Sequence, residues 1–138
     1  MAVVQLNSKY GYIDINGTEA IPCIYQYASS FSEGLACVQD DNLMFGFVDQ
    51  KGTLVIPCIY HNASDFSEGL ALVQFKNKWG FIDKIGREII PCKYDPFWWD
   101  IEHTSYSWPS SFVGGLAKVS INGKKAYINK TDQTVWIE

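Results

Sequence analysis

The chain has 138 residues, of which 47% are apolar, 19% charged and 15% aromatic, so its length is typical of a single domain and its apolar content excludes an intrinsically disordered protein. The net charge of −4 is uneven, because residues 1–70 hold eight acidic and two basic residues (−6) and residues 71–138 hold seven acidic and nine basic residues (+2). Neither half concentrates Lys and Arg, so we expect no nucleic-acid partner.

We do not expect the first residues of the chain to form a targeting segment. Residues 1–7 contain neither a basic stretch nor a sustained apolar run of the kind that begins a signal peptide. No segment approaches the roughly 20 apolar residues that span a bilayer. We therefore expect a cytoplasmic protein without a membrane partner.

One sequence unit of about 35 residues occurs four times. Ile-Pro-Cys recurs at residues 21–23, 56–58 and 90–92, at steps of 35 and 34. An aromatic-Gly-aromatic motif precedes it, and Phe-Ser-Glu-Gly-Leu-Ala or a variant of that sequence follows. Strand patterns place the units at approximately residues 2–22, 36–57, 71–91 and 117–137.

Each unit predicts three short strands. The first begins Ala-x-Val, the second carries aromatic-Gly-aromatic, and the third ends at Ile-Pro, where Pro can no longer donate to the ladder. An Asp and, three residues later, a Gly join the second and third strands by a tight hairpin, as at Asp14 and Gly17. The fourth unit has Asn129 and Asp132 instead, so we expect a looser turn there.

The repeats predict an all-β fold. Four tandem three-stranded β-meanders, each too small to bury its own apolar face, must stack on one another within a single domain spanning residues 1–138. An open twisted array is the favoured arrangement. A closed ring resembling a small propeller is the alternative, since four units would suffice for four blades.

The repeat resembles the WG (KWG) repeat of bacterial proteins. The matching residues are aromatic-Gly-aromatic-Ile-Asp, then Ile-Pro-x-x-Tyr, then Phe-Ser-Glu-Gly-Leu-Ala. Only the third unit has the eponymous Trp79-Gly80, while the fourth has Lys125-Ala126 in its place, as a terminal capping copy would. The resemblance implies β-repeat modules with binding or scaffold roles. It implies no activity, cofactor or catalytic residue.

The residues that could carry chemistry have structural explanations. Cys23, Cys58 and Cys92 occupy one repeat position, so we interpret them as structural thiols and expect no metal site. The repeated Asp residues ahead of the turn Gly are expected to cap hairpins. Glu33 and Glu68 likewise precede a turn Gly and are interpreted as solvated turn acids. We expect no catalytic site and no cofactor.

The third linker departs from the repeat. Tyr94 and Phe112 are eighteen positions apart, whereas the corresponding residues of the first two units are six apart, so twelve residues are inserted within residues 96–109. Three of the five Trp lie there. The candidate binding residues are Phe97, Trp98, Trp99, Asp100, His103, Tyr106 and Trp108. The segment either covers the open end of the array as a lid or binds a partner, and the two roles are compatible.

Three classes of function remain open. The first is a non-enzymatic protein-interaction module or scaffold, for example an immunity or antitoxin-like inhibitor of another protein. The second is a glycan-binding module, in which the inserted aromatic rings stack on sugars. The third is an enzyme of unknown class, which a pocket uniting His103 with carboxylates would favour.

Overall fold

Short β-strands joined by turns make up the whole chain, which a computed structural model describes from residue 1 to residue 138. The all-β prediction is confirmed, and no helix has the length and apolar character that a membrane crossing requires. Four repeat sheets and one separate hairpin are present, all antiparallel.

The sixteen strands follow the repeats along the chain. The first sheet contains β1 (Ala2–Leu6), β2 (Lys9–Ile13) and β3 (Glu19–Tyr25). The second contains β4 (Tyr27–Ala28), β5 (Leu35–Gln39), β6 (Phe45–Asp49) and β7 (Leu54–Tyr60). The third contains β8 (Asn62–Ala63), β9 (Ala71–Phe75), β10 (Lys78–Ile82) and β11 (Glu88–Tyr94). The hairpin is β12 (Trp98–Asp100) and β13 (Ser105–Ser107), and the fourth sheet is β14 (Leu116–Ile121), β15 (Lys124–Asn129) and β16 (Thr134–Ile137).

The repeated Asp residues cap the hairpin turns, as predicted. Asp14 Oδ1 accepts hydrogen bonds from the backbone N–H groups of Asn16 and Thr18 at 2.8 and 3.0 Å, and Gly17 has a φ of 78°. In the fourth unit Asn129 Oδ1 accepts two equivalent bonds, at 3.1 and 3.0 Å. The expectation of a looser fourth turn is therefore wrong, because an amide oxygen accepts the same hydrogen bonds and Asp132 tolerates positive φ.

The second and third sheets contain a strand that the sequence did not predict. The two-residue strands β4 and β8 pair with β5 and β9 through Tyr27 opposite Gln39 and Asn62 opposite Gln74. A strand of two residues is too short to show an alternation of apolar and polar side chains. It therefore left no periodic signal.

The prediction that the third strand ends at its Pro is also wrong. In the first sheet Tyr12 lies opposite Ile21 and Tyr10 lies opposite Tyr25, so the strand continues past Pro22 with a bulge. The bulge explains the preceding Gly, because a Cβ on Gly11 would lie 2.5–2.7 Å from the backbone of residues 21–23. The motif Gly thus allows a backbone contact that any side chain would block.

The four sheets pack face to face in series. Strand β5 illustrates the alternation: Ala36 and Val38 pack against the first sheet, whereas Leu35 and Cys37 pack against the third. Three hydrophobic clusters result, each joining two consecutive sheets. No cluster joins the first sheet to the fourth, so the array is open rather than a closed ring.

Polar contacts repeat at the junctions between units. Ser32 Oγ donates to the carbonyl of Phe66 at 2.8 Å, and the N–H of Gly69 donates to Glu33 Oε1 at 2.9 Å. Ser67 and Glu68 make the same two contacts with Phe112 and Gly115 at the next junction, at 2.7 and 2.9 Å. The interpretation of these Glu residues as merely solvated acids is corrected: each holds the following unit in place.

Candidate functional site

The insertion takes the place of the short edge strand. In the second unit the N–H groups of Gln26 and Ser29 bond to β5, with Tyr27 and Ala28 between them. In the fourth unit the N–H groups of Asp95 and Ser110 make the corresponding bonds to β14, each at 3.0 Å. Residues 96–109 therefore take the place of two residues of the repeat.

The base of the insertion is anchored to the third and fourth sheets. Trp79 Nε1 donates to the carbonyl of Pro96 at 3.2 Å, and Ser120 Oγ donates to the carbonyl of Phe97 at 2.9 Å. Lys78 pairs with Asp95 at 2.7 Å. The first two units, which have Tyr or Phe at the position of Trp79, lack an indole N–H there. Trp79, the only Trp at this repeat position, thus anchors the insertion, which only this linker contains.

Within the insertion, β12 and β13 form a hairpin with two different faces. Trp99 lies opposite Tyr106, while Trp98 lies opposite Ser107 and Asp100 opposite Ser105. Because side chains alternate along a strand, Trp98 and Asp100 point away from the face that carries Trp99. The alternation separates the predicted binding residues into two groups.

The outer face of the hairpin is a cluster of exposed aromatic rings. Tyr106 contacts Phe97 and Trp99 edge to face, with ring centroids 4.7 and 5.1 Å apart. Trp99 is 48% exposed, and Phe97, Tyr106 and Trp108 are similarly open to solvent. We call these four residues the aromatic patch. The contacts of Tyr106 with Phe97 and Trp99 fix these three rings in place without burying them, while Trp108 also lines the cleft between the hairpin and the fourth sheet.

Trp98 does not belong to the aromatic patch. Only 3% of it is exposed, and it lines a cleft between the hairpin and the fourth sheet together with Lys118 and Lys125. Trp98, which the sequence predicted as a binding residue, is therefore buried rather than exposed. Its Nε1 has no hydrogen-bond partner, which makes this burial costlier than that of a hydrogen-bonded indole.

Asp100 and His103 form the turn of the hairpin. Asp100 Oδ1 accepts hydrogen bonds from the N–H groups of Glu102 and His103 at 3.0 and 3.3 Å, and Oδ2 lies 2.9 Å from His103 Nδ1. The hydrogen bond with Asp100 raises the pKa of His103 and lowers that of Asp100. The imidazole therefore keeps its positive charge to a higher pH than a free His.

The cleft brings polar and aromatic groups together. Its volume is about 430 Å³, and Asp100, His103 and Trp108 of the hairpin face Lys118 and Lys125 of the sheet. Glu102 also lines the cleft, so His103 shares it with the carboxylates of Asp100 and Glu102. The side chain of His103 makes no hydrogen bond other than the one to Asp100, which the hairpin turn explains.

Cys37 lies in the core, Cys58 and Cys92 are partly buried beside it, and no cysteine lines the cleft. All four are free thiols, and Cys23, Cys58 and Cys92 occupy three different sheets. Burial raises the pKa of Cys37 to about 12 and those of Cys58 and Cys92 to about 11. These three thiols are protonated and weakly nucleophilic at neutral pH, as structural cysteines are.

An open β-repeat array that carries one aromatic insertion defines the class of this protein. The sequence model described as WG containing repeat matches residues 10–43, 45–79 and 79–95, and the chain belongs to this family. The resemblance predicted from sequence is thus confirmed. The hairpin and the fourth sheet lie beyond the matched residues. A comparison with curated proteins finds no match to the chain.

Proposed function

We propose that this protein is a non-enzymatic interaction module that binds another polypeptide through the aromatic patch. The observation that carries the proposal is the exposure of the four patch rings on an insertion that the repeat does not need. Large exposed apolar clusters on soluble proteins mark interaction sites. Trp and Tyr are also the residues that contribute most to protein interfaces.

The rigidity of the patch supports this role. The edge-to-face contacts around Tyr106 and the bonds that anchor Pro96 and Phe97 hold the rings before any partner arrives. A preformed surface loses less conformational entropy on binding than a mobile loop does. The acidic charge of residues 1–70 favours a basic partner, as an immunity-type inhibitor of a basic protein would require.

Site-specific photocrosslinking tests the proposal. A photoreactive phenylalanine analogue is placed at Trp99 or, as a control, at Tyr27, which has a similar exposure of 46% but lies in the second sheet. After irradiation in cells, we expect a discrete crosslinked polypeptide from position 99 only. Equal crosslinking from both positions, or none from position 99, would contradict the proposal.

A second candidate function is glycan binding. The observation that favours it is the cleft, where Trp108 and Tyr106 could stack on a sugar ring while Asp100 and Lys125 bond to hydroxyl groups. A glycan array probed with the wild-type protein and with Trp108→Ala tests this alternative. Binding that disappears in the variant would favour the glycan, and it would make the crosslinked polypeptide a secondary partner.

A further inference from the structure

One aromatic contact is repeated at every junction of the array. The second aromatic residue of the aromatic-Gly-aromatic motif packs against the Phe that precedes the following unit. The ring pairs are Tyr12 with Phe31, Phe47 with Phe66 and Phe81 with Phe112, at centroid distances of 4.9, 4.8 and 4.7 Å. Each of the first three sheets therefore packs against one Phe side chain that lies outside that sheet.

In the fourth sheet no Phe from residues 1–138 packs at the corresponding place. Tyr127 corresponds to Phe81 of the third sheet, and its aromatic neighbour is Trp136 of its own sheet, at 6.0 Å. Beside Tyr127 lies a cavity of about 410 Å³, also lined by Val113, Leu116 and Lys118. Leu116 and Lys118 correspond to Leu70 and Leu72, which share a cluster with Phe112 in the third sheet. We call this cavity the terminal socket.

The terminal socket differs from the inner ones in its polar groups. Val113 and Gly114 stand where Ser67 and Glu68 hold the backbone of the next unit. Val113 and Gly114 therefore offer neither of the side-chain contacts that Ser67 and Glu68 make. Lys118, on the other hand, replaces an apolar Leu and forms no ion pair within the chain.

Lys125 adds a second cation to the same face. Lys118 lies opposite Tyr127 and Lys125 opposite Ser120, which places both lysines on the side of β14 and β15 that faces away from the third sheet. Lys125 also forms no ion pair and stands over the ring of Trp136 at 5.8 Å. Lys118 thus places a positive charge without an ion-pair partner in the lining of the socket, whereas Lys125 lies farther along the same face, in the cleft that Asp100 and Glu102 also line.

We propose that the terminal socket binds an aromatic side chain of the partner polypeptide, in a turn that carries an Asp or Glu next to the ring. This inference rests on the proposed function and names the chemistry of the partner. The socket supplies the apolar contact that Phe66 and Phe112 find at the inner junctions. The carboxylate of the partner pairs with Lys118, which lines the socket, and this ion pair orients the bound turn in place of the Ser and Glu contacts of the inner junctions.

The chain itself provides a probe. A peptide with the sequence of residues 63–71, Ala-Ser-Asp-Phe-Ser-Glu-Gly-Leu-Ala, contains the Phe that fills an inner socket and two acidic residues. Titrated into the isotopically labelled full chain, it is expected to shift the amide resonances of residues 113–118 and 127. The peptide with Phe replaced by Ala is expected to bind about tenfold more weakly or worse.

Lysine variants test the electrostatic contribution to peptide binding. Lys118→Glu should weaken the affinity for the peptide by about three- to tenfold. Lys124 is exposed and does not line the socket, so Lys124→Glu should leave the affinity unchanged. No saturable shift, or equal binding of the Phe and Ala peptides, would overturn the socket. A concentration-dependent dimer that Lys118→Glu dissolves would assign it to a second copy and would also overturn the proposal. Crosslinking from Trp99 is an independent readout, so the socket can fail while the aromatic patch stands.

Discussion

Truncating Phe66 tests the stacking of the sheets. Its side chain is 2% exposed and packs edge to face against Phe47, so Phe66→Ala removes a ring from the junction between the second and third sheets. The lost burial and the resulting cavity should cost about 3–5 kcal/mol in the free energy of unfolding. For a chain of this size, that loss lowers the melting temperature by roughly 10–20 °C.

Urea unfolding followed by two probes measures the effect. All five Trp lie at residue 79 or beyond, so Trp fluorescence reports the third sheet, the insertion and the fourth sheet, whereas far-UV circular dichroism reports the whole array. We expect both midpoints to fall together in Phe66→Ala. Phe75→Ala, which removes the same ring from a position that is 38% exposed, should cost less than about 1 kcal/mol. A similar cost for the two variants would refute the serial packing of the sheets.

Three further predictions concern single residues. Gly46→Ala should lower the free energy of unfolding by about 2 kcal/mol or more, because the added Cβ would lie 2.4–2.8 Å from the backbone of residues 56–58. Ala126→Gly, at the matching position of the fourth sheet, should lower it by less than about 1 kcal/mol. Thermal melts of the two variants compare these losses. The hydrogen bond from Gly115 N–H lowers the pKa of Glu68. The ionised Glu68 carboxylate therefore contributes fully to stability above the ordinary Glu pKa of about 4.3, and this contribution is lost as the pH falls through the lowered pKa. Glu68→Gln should therefore be less stable at pH 7 and lose less stability on acidification, as urea midpoints between about pH 6 and 2 would show. The native Cys37 thiol, whose pKa burial raises to about 12, should resist alkylation at pH 8 until the chain unfolds, as mass spectrometry can follow.

The local structure followed from the sequence where one residue type determines the backbone. Asp14 and Gly17 predicted a hairpin because an Asx side chain followed three residues later by a residue that adopts positive φ is typical of a tight turn. The continuation of β3 past Pro22 was missed, since a bulge carries no periodic signal. The roles of Glu33 and Glu68 were also missed, because their partners lie 36 and 47 residues away.

The candidate site was only partly predictable. The length of the third linker and its Trp content located the insertion. The division of Trp98 from Trp99 follows from the alternation in β12, but which face turns towards the sheet depends on tertiary contacts such as the bond from Ser120 to Phe97. The terminal socket could not be predicted, because it depends on which side chains of β14 and β15 lie on the outer face of the fourth sheet.

Deleting residues 97–108 tests most directly whether the hairpin is an addition to a complete array. The two residues that remain, Pro96 and Pro109, take the places of Tyr27 and Ala28, and the hydrogen bonds to β14 come from residues 95 and 110, which are retained. We expect cooperative unfolding of a β-sheet protein, a loss of no more than about 3 kcal/mol from the burial of Trp98, and no crosslinked partner from a probe elsewhere on the fourth sheet. Aggregation or non-cooperative unfolding would show instead that the hairpin is a structural part of the array.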